Sequence, residues 1–348
     1  MSGNFTQRGE CATYDKYARA EAALRCGADL VLELPFPWSS AGAEFFALGG
    51  VSVALGAGAA GFVYGSESGD ASVAGHVSLA RSTDEYRAVL DRFDGDSVGA
   101  AAAHAAALKK MGLDPGPNDK LASFYMDAAR NMGFPADFRA VKRIPTDSGR
   151  HVSASDIRRL IRSGGREEPE RLIAPEALPA YQKEGVLSGN VRKLDEIIFT
   201  YFRLFAPETA EGVFDAGGGV YERLCRAARD AGSGEEFFRL AANKKYTNAR
   251  LRRAALFSVL GVGRKDVSAL PEFTFLLAAG EKGRKILSEM DGNLCVLTKP
   301  SDASGLDGTA KRQYGLSCRA DELFAACCDP AVPAGEFLKR TPYIEKNG

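Results

Sequence analysis

Apolar residues along the first 165 positions follow two alternating spacings. Short runs dense in branched and aromatic residues, 29–34 (DLVLEL), 61–64 (GFVY) and 137–144 (DFRAVKRI), read as strands. The first is apolar enough to be covered on both faces, as in a parallel sheet. Between these runs the apolar positions recur at helical spacing. Helices are expected over 15–25, capped by Asp15 and closed by Gly27, over 41–55, at about 72–91, 98–111 and 118–131, and over 155–163. Alternating strands and helices predict an α/β fold built on a doubly wound parallel sheet. After about residue 165 strand signals become rare. Helices over 192–205, 219–231, 235–242 and 247–260 dominate, with one small mixed patch near 272–298. The polar, Gly-rich stretch 162–169 (RSGGREEP) marks the expected boundary between domains over 1–165 and 166–348.

The chain opens on Met1 and a polar Ser2-Gly3-Asn4 turn, then runs straight into a helix and a buried-type strand. That order is the second half of a β-α-β unit, and its first half is expected to be missing.

Composition narrows the function classes. The 348 residues carry 45 Lys and Arg against 45 Asp and Glu, so any nucleic-acid surface must come from a local cluster. No apolar run approaches the roughly 18 residues needed to span a bilayer, and no leader-like N-terminus is present. A cytoplasmic location without membrane contact is expected. The seven cysteines include no C-x-x-C pair, which argues against a zinc knuckle and for reduced thiols. The three histidines, His76, His104 and His151, include no His-x-Gly-His.

Gly56-Ala57-Gly58-Ala59-Ala60-Gly61 satisfies G-x-G-x-x-G in letter. The dinucleotide fingerprint needs a strand before it and a helix after it. Here the order is reversed, so a helix C-cap and turn are expected. Ligands of open parallel sheets bind beyond the carboxyl ends of the strands. The loops landing there are Ser2-Gly3-Asn4, 35–40, Gly65-Ser66-Glu67 and Lys142-Arg143-Ile144. Gly65 permits close approach of a nucleotide to backbone. Asn118, after Pro117, either reads an adenine with its amide or caps its helix. In Ser153-Ala154-Ser155-Asp156-Ile157-Arg158, hydroxyls and helix amides with an Arg one turn in make an anion pocket. That spacing resembles the phosphate signature of the HxGH-type nucleotidyltransferases.

Further blocks carry a more specific resemblance. They are MSGNFTQRGE, Lys16-x-x-Arg19-Ala20-Glu21, GADLVLELPFP, AEFFALGGVS, FVYGSESGD, Pro117-Asn118, Arg143, SASDIR and KKYTNARLRR. Across nearly the whole chain they resemble the bacterial tRNA(Met) cytidine acetate ligases of the HxGH nucleotidyltransferase superfamily. The resemblance implies a Rossmann-like nucleotidyltransferase parallel sheet, with its first strands missing here, followed by a mainly helical C-terminal domain. It implies that ATP activates acetate as acetyl-adenylate, and that the acetyl group passes to N4 of the wobble cytidine of elongator tRNA(Met). By motif, Gly65, Asn118 and Arg143 match ATP-contacting positions. Ser153, Ser155 and Arg158 form the inferred phosphate site. Lys16 and Arg19 either face the phosphates or form a solvated helix face. Mg²⁺ is expected with ATP, although no residue stands out as its ligand. The family's HxGH segment precedes MSGNF and is absent, so the resemblance implies an impaired enzyme and a loosened N-terminal half.

Five cations and one Tyr fall within 243–253 (NKKYTNARLRR): Lys244, Lys245, Arg250, Arg252 and Arg253 around Tyr246. They suit phosphate contacts with base stacking on RNA, or a solvated helix face with Leu251 and Ala254 turned inward. Lys282, Arg284 and Lys285 extend that surface. A small-molecule adenylyltransferase would share SASDIR but leaves the helical half unexplained. A catalytically inactive RNA-binding protein is the alternative from a different class.

Overall fold

Where the hydrophobic period changes, the element changes. The computed structural model describes residues 1–92, 100–143, 154–162, 170–290 and 292–345. Helix α1 (Lys16–Arg25) starts at Asp15, whose carboxylate accepts from the amides of Tyr17 and Ala18. Then come β1 (Leu30–Leu32), α2 (Ala43–Gly56), β2 (Gly61–Ser66), α3 (Ala71–Arg81), α4 (Asp84–Asp91), α5 (Ala100–Lys110), α6 (Pro117–Asn131), β3 (Asp137–Lys142) and α7 (Ala154–Arg162). The single helix expected over 72–91 is two, because the Thr83 hydroxyl accepts from the amide of Tyr86 and starts α4 afresh. The G-x-G-x-x-G run is a helix end and turn: α2 stops at Gly56, Gly58 adopts φ +73°, and β2 begins at Gly61.

The second half holds α8 (Leu178–Gln182), α9 (Val191–Leu204), α10 (Val220–Asp230), α11 (Gly234–Ala241), α12 (Asn248–Leu260), α13 (Arg264–Ser268), β4 (Phe273–Ala279), α14 (Glu281–Glu289), β5 (Cys295–Leu297), α15 (Gly308–Cys327), α16 (Glu336–Lys339) and β6 (Tyr343–Ile344). The mixed α/β class holds, with its strands in two sheets. β2 and β3 pair in parallel, from Gly61 opposite Asp137 to Ser66 opposite Lys142. β4 is the centre of the other sheet. β5 and β6 join it in parallel, and β1 joins it antiparallel with Leu30 opposite Ala279. The strand expected at 29–34 therefore finds its partner in the mixed patch near 272–298. The reason is burial: Phe273–Ala279 is apolar except for Thr274, whose hydroxyl donates to the Glu33 carbonyl, and it needs cover on both faces.

Packing crosses the boundary expected at 165/166. Phe5, Leu34, Phe36 and Trp38 share one core with Leu194, Ile198, Phe257 and Phe324. The Trp38 indole is fully buried and donates to the carbonyls of Val267 and Ala269, each at 3.1 Å. A smaller core joins α2, α6, β2 and β3 around Val51, Phe62, Tyr125 and Phe138. Among the described residues no helix is long and apolar enough to cross a membrane.

Lys16 ties the two ends of the chain together. It is 1% exposed, and its ammonium lies 2.7 Å from Asp321 Oδ2 on α15 and 2.8 Å from Glu33 Oε2 beside β1. Asn4 Nδ2 donates to Asp321 Oδ1 at 2.9 Å, and Asn4 Oδ1 accepts from the Lys16 amide. Burial works against the ammonium, yet Asp321 and Glu33 together hold its pKa above the ordinary lysine value. Burial pushes both carboxylates upward while Lys16 pulls them down. Gly3 lies against Glu33, where a Cβ would strike the carboxylate. Lys16→Met would leave two buried carboxylates without their cation. We expect a loss of about 3–5 kcal/mol in urea unfolding; a change within about 0.5 kcal/mol would contradict this role.

Candidate active site

The segment after Asn4 folds back on itself. Phe5 and Cys11 face each other as an antiparallel bridge with both side chains in the core, and the Thr6–Glu10 turn between them is closed by main-chain hydrogen bonds. Arg8 stands at its exposed tip. Its Nη1 donates to Ser155 Oγ at 2.9 Å, and Arg158 Nη2 donates to the same oxygen at 3.1 Å. Along α7, residues 154, 157, 158 and 161 lie on one helix face. That face lines a cavity of about 580 Å³ whose other walls include Ser2, Tyr14, Arg19 and Tyr181. The volume suits a small ligand. Tyr14 and Tyr181 stack with ring centres 4.6 Å apart, forming an aromatic wall. Arg19 is held by three carbonyls, from Nε to Tyr14 O, Nη1 to Ser2 O and Nη2 to Gly3 O. Burial lowers its pKa, against the pull of Asp15 and Glu33.

The structure thus separates two residues that sequence reading left together. Arg19 lines the cavity. Lys16 is neither on a solvated face nor open to a phosphate, because Asp321 and Glu33 take its ammonium. Ser153 and His151 lie outside the described residues.

Gly65, Asn118 and Arg143 meet in a second group at the carboxyl end of β2. Ser66 Oγ donates to Asp119 Oδ1 at 2.6 Å and accepts from the amides of Ser68 and Gly69. This pins the loop after β2 to the first turn of α6. The pinned loop carries Glu67, which accepts from Asn118 Nδ2 at 2.7 Å and from the Asn118 amide at 3.2 Å. Arg143 Nη1 lies 3.8 Å from the same carboxylate. The lining of the 580 Å³ cavity includes none of Gly65, Asn118 and Arg143. The connection from β3 to α7, 144–153, is outside the described residues.

The basic cluster around α12 divides. Arg252 makes a two-pronged pair with Asp195, at 2.6 and 2.9 Å, and lies over the Phe238 ring. Burial raises the Asp195 pKa and the Arg252 hydrogen bond opposes it. Arg253 pairs with Asp215 at 2.8 Å and donates to the Gln7 carbonyl; Arg250 reaches Asp215 at 3.4 Å and the Gly217 carbonyl at 3.0 Å. Tyr246 is 7% exposed, with its hydroxyl on the Gly218 carbonyl, so it offers no face for base stacking. Leu251 and Ala254 point inward. Lys244 is exposed, as are Lys282, Arg284 and Lys285 on α14.

Sequence reading assigned no role to Arg8, Tyr14, Glu67 and Tyr181. Arg8 falls in the distinctive MSGNFTQRGE block and Glu67 in the loop after β2; nothing local marks Tyr181. Among the described residues no three His, Cys, Asp or Glu side chains converge on a metal position.

A model of the HIGH Nucleotidyl Transferase family matches residues 1–336. The tRNA(Met) cytidine acetate ligase of Thermotoga petrophila is 34% identical over 318 residues, covering 83% of this chain and 76% of that protein. The chain belongs to the tRNA(Met) cytidine acetate ligase family. The ligase of Lactobacillus delbrueckii subsp. bulgaricus is 30% identical over 359 residues, covering 98% of this chain and 90% of its own. The crystal structure of Thermotoga maritima TmcAL bound with alpha-thio ATP superposes with a TM-score of 0.87 at 28% identity, over 99% of this chain and 91% of that one.

The split of the basic cluster has a measurable consequence. Arg252→Ala would strip a buried carboxylate of its partner and is expected to cost about 1.5–3 kcal/mol in urea unfolding. Lys244→Ala is expected to leave stability within about 0.5 kcal/mol. Equal effects would contradict the division.

Proposed function

We propose that this chain is an ATP-dependent ligase. An acetate oxygen attacks the α-phosphorus of ATP, giving acetyl-adenylate and releasing pyrophosphate. N4 of the wobble cytidine of elongator tRNA(Met) then attacks the acetyl carbonyl, loses a proton and expels AMP. The observation that carries this reading is the likeness, over nearly the whole chain, to a family structure bound with an ATP analogue. In it, 1–165 serves ATP and 166–348 serves tRNA.

The chemistry asks the protein for positioning and charge stabilisation more than for covalent work. Arg8, Arg19 and Arg158 converge on the cavity around the start of α7 and suit the negative charge of a departing pyrophosphate. Ser153 and Ser155 belong to the same proposed phosphate site. Gly65, Asn118 and Arg143 are the proposed nucleoside contacts. Lys244 and Lys245, with Lys282, Arg284 and Lys285, are the proposed tRNA-facing cations. Arg250, Arg252 and Arg253 act on tRNA through the surface they hold in place. Seven cysteines without a disulfide suit a cytoplasmic address.

Incubating the chain with elongator tRNA(Met), ATP and acetate should add one acetyl group to the tRNA, read by mass spectrometry, with release of AMP and pyrophosphate, at a rate lowered by the lack of a His-x-Gly-His. Acetate-independent product, or none while ATP is bound, would overturn the reading. Arg158→Ala should slow acetate-dependent pyrophosphate release by about 10²-fold. An unchanged rate would remove α7 from the site.

A further inference from the structure

An asparagine side chain carries a donor and an acceptor on opposite prongs, and what it recognises depends on which prong faces the ligand. At Asn118 the choice is made by Glu67. An ionised carboxylate only accepts, so the atom 2.7 Å from Glu67 Oε1 must be the amide nitrogen. Asn118 Oδ1 is thereby turned to the other side. The arrangement is built. Glu67 Oε2 also accepts the Asn118 main-chain amide, so both carboxylate oxygens are used on one residue. Gly116 leaves the space, since a Cβ there would strike the Glu67 carboxylate. Ser66, bonded to Asp119 in the first turn of α6, fixes the loop that carries Glu67 relative to the helix that carries Asn118. Next to this pair the backbone at Gly65 is open: a Cβ there would meet only the Arg143 side chain, at 3.8 Å.

We infer that Glu67 is a specificity-determining positioning residue, which locks the Asn118 amide with its oxygen outward so that the site accepts a 6-amino purine and rejects a 6-oxo purine. This rests on the reading of Gly65, Asn118 and Arg143 as nucleoside contacts. The outward oxygen accepts a hydrogen bond from the exocyclic amine of adenine. Against guanine it meets a carbonyl oxygen, and two acceptors face each other. A glutamine at position 67 removes the lock. Its own amide can present either prong, so Asn118 can turn over and offer its nitrogen to a 6-oxo group.

The test is equilibrium binding of ATP and GTP to the full chain and to Glu67→Gln, with the thermal midpoint of each nucleotide-free protein measured alongside. Glu67 is exposed, so the midpoints should agree. The wild-type chain should prefer ATP, and Glu67→Gln should lower the ATP-to-GTP preference by about tenfold, mainly by improving GTP binding. Wild-type preference for ATP with the same ratio in Glu67→Gln overturns this inference alone. Failure of the wild-type chain to bind ATP overturns it together with the reading on which it rests.

Discussion

Lys16 carries a full charge into a position 1% exposed, and everything around the cavity follows from how that charge is met. An isolated ammonium in an apolar core is prohibitive, so its partners must be brought to it. Asp321 comes from α15, Glu33 from the residue after β1, and Asn4 from the chain's opening residues. The Lys16 ammonium joins α15 to the segment after β1, and Asn4 ties the chain's opening residues in through the Lys16 main-chain amide and Asp321. The same α1 helix that delivers Lys16 inward delivers Arg19, three residues on, to the cavity wall. One helix thus supplies both the internal anchor and a cation on the cavity wall.

A second set of charges extends the arrangement. Arg252 and Arg253 on α12 hold Asp195 and Asp215, and they also reach Glu10 and the Gln7 carbonyl. Gly9, at φ +68°, lets the Thr6–Glu10 turn lie directly on α12, where any Cβ would strike the backbone of Arg252 and Arg253. The turn that presents Arg8 to Ser155 is therefore seated on the helical half.

Local order was readable from sequence. Asp15 as a cap, the helix over α2, the reversed context of the G-x-G-x-x-G run and the strands at 61 and 137 all follow from short-range rules of periodicity and turn chemistry. The opening block and SASDIR also pointed to the right family. What sequence could not show was partnership over distance. Lys16 and Arg252 read as phosphate contacts or solvated helix faces because Asp321 and Asp195, which take them, lie 305 and 57 positions away. β1 read as part of the sheet of β2 because its antiparallel partner, β4, follows more than two hundred residues later, in a patch whose strands are short. Glu67 was placed in a loop at the ligand edge, but its pairing with Asn118 was hidden for a different reason. The role proposed for it lies in the direction of one hydrogen bond, which no residue pattern encodes.

The central claim is that the buried Lys16 cluster holds the cavity wall in place. Amide hydrogen exchange on Asp321→Ala, compared with the unaltered chain, tests it most directly. Exchange should quicken together in 4–12, 30–34 and 308–327, while α3 to α6 keep their protection. Faster exchange confined to α15 would contradict the account.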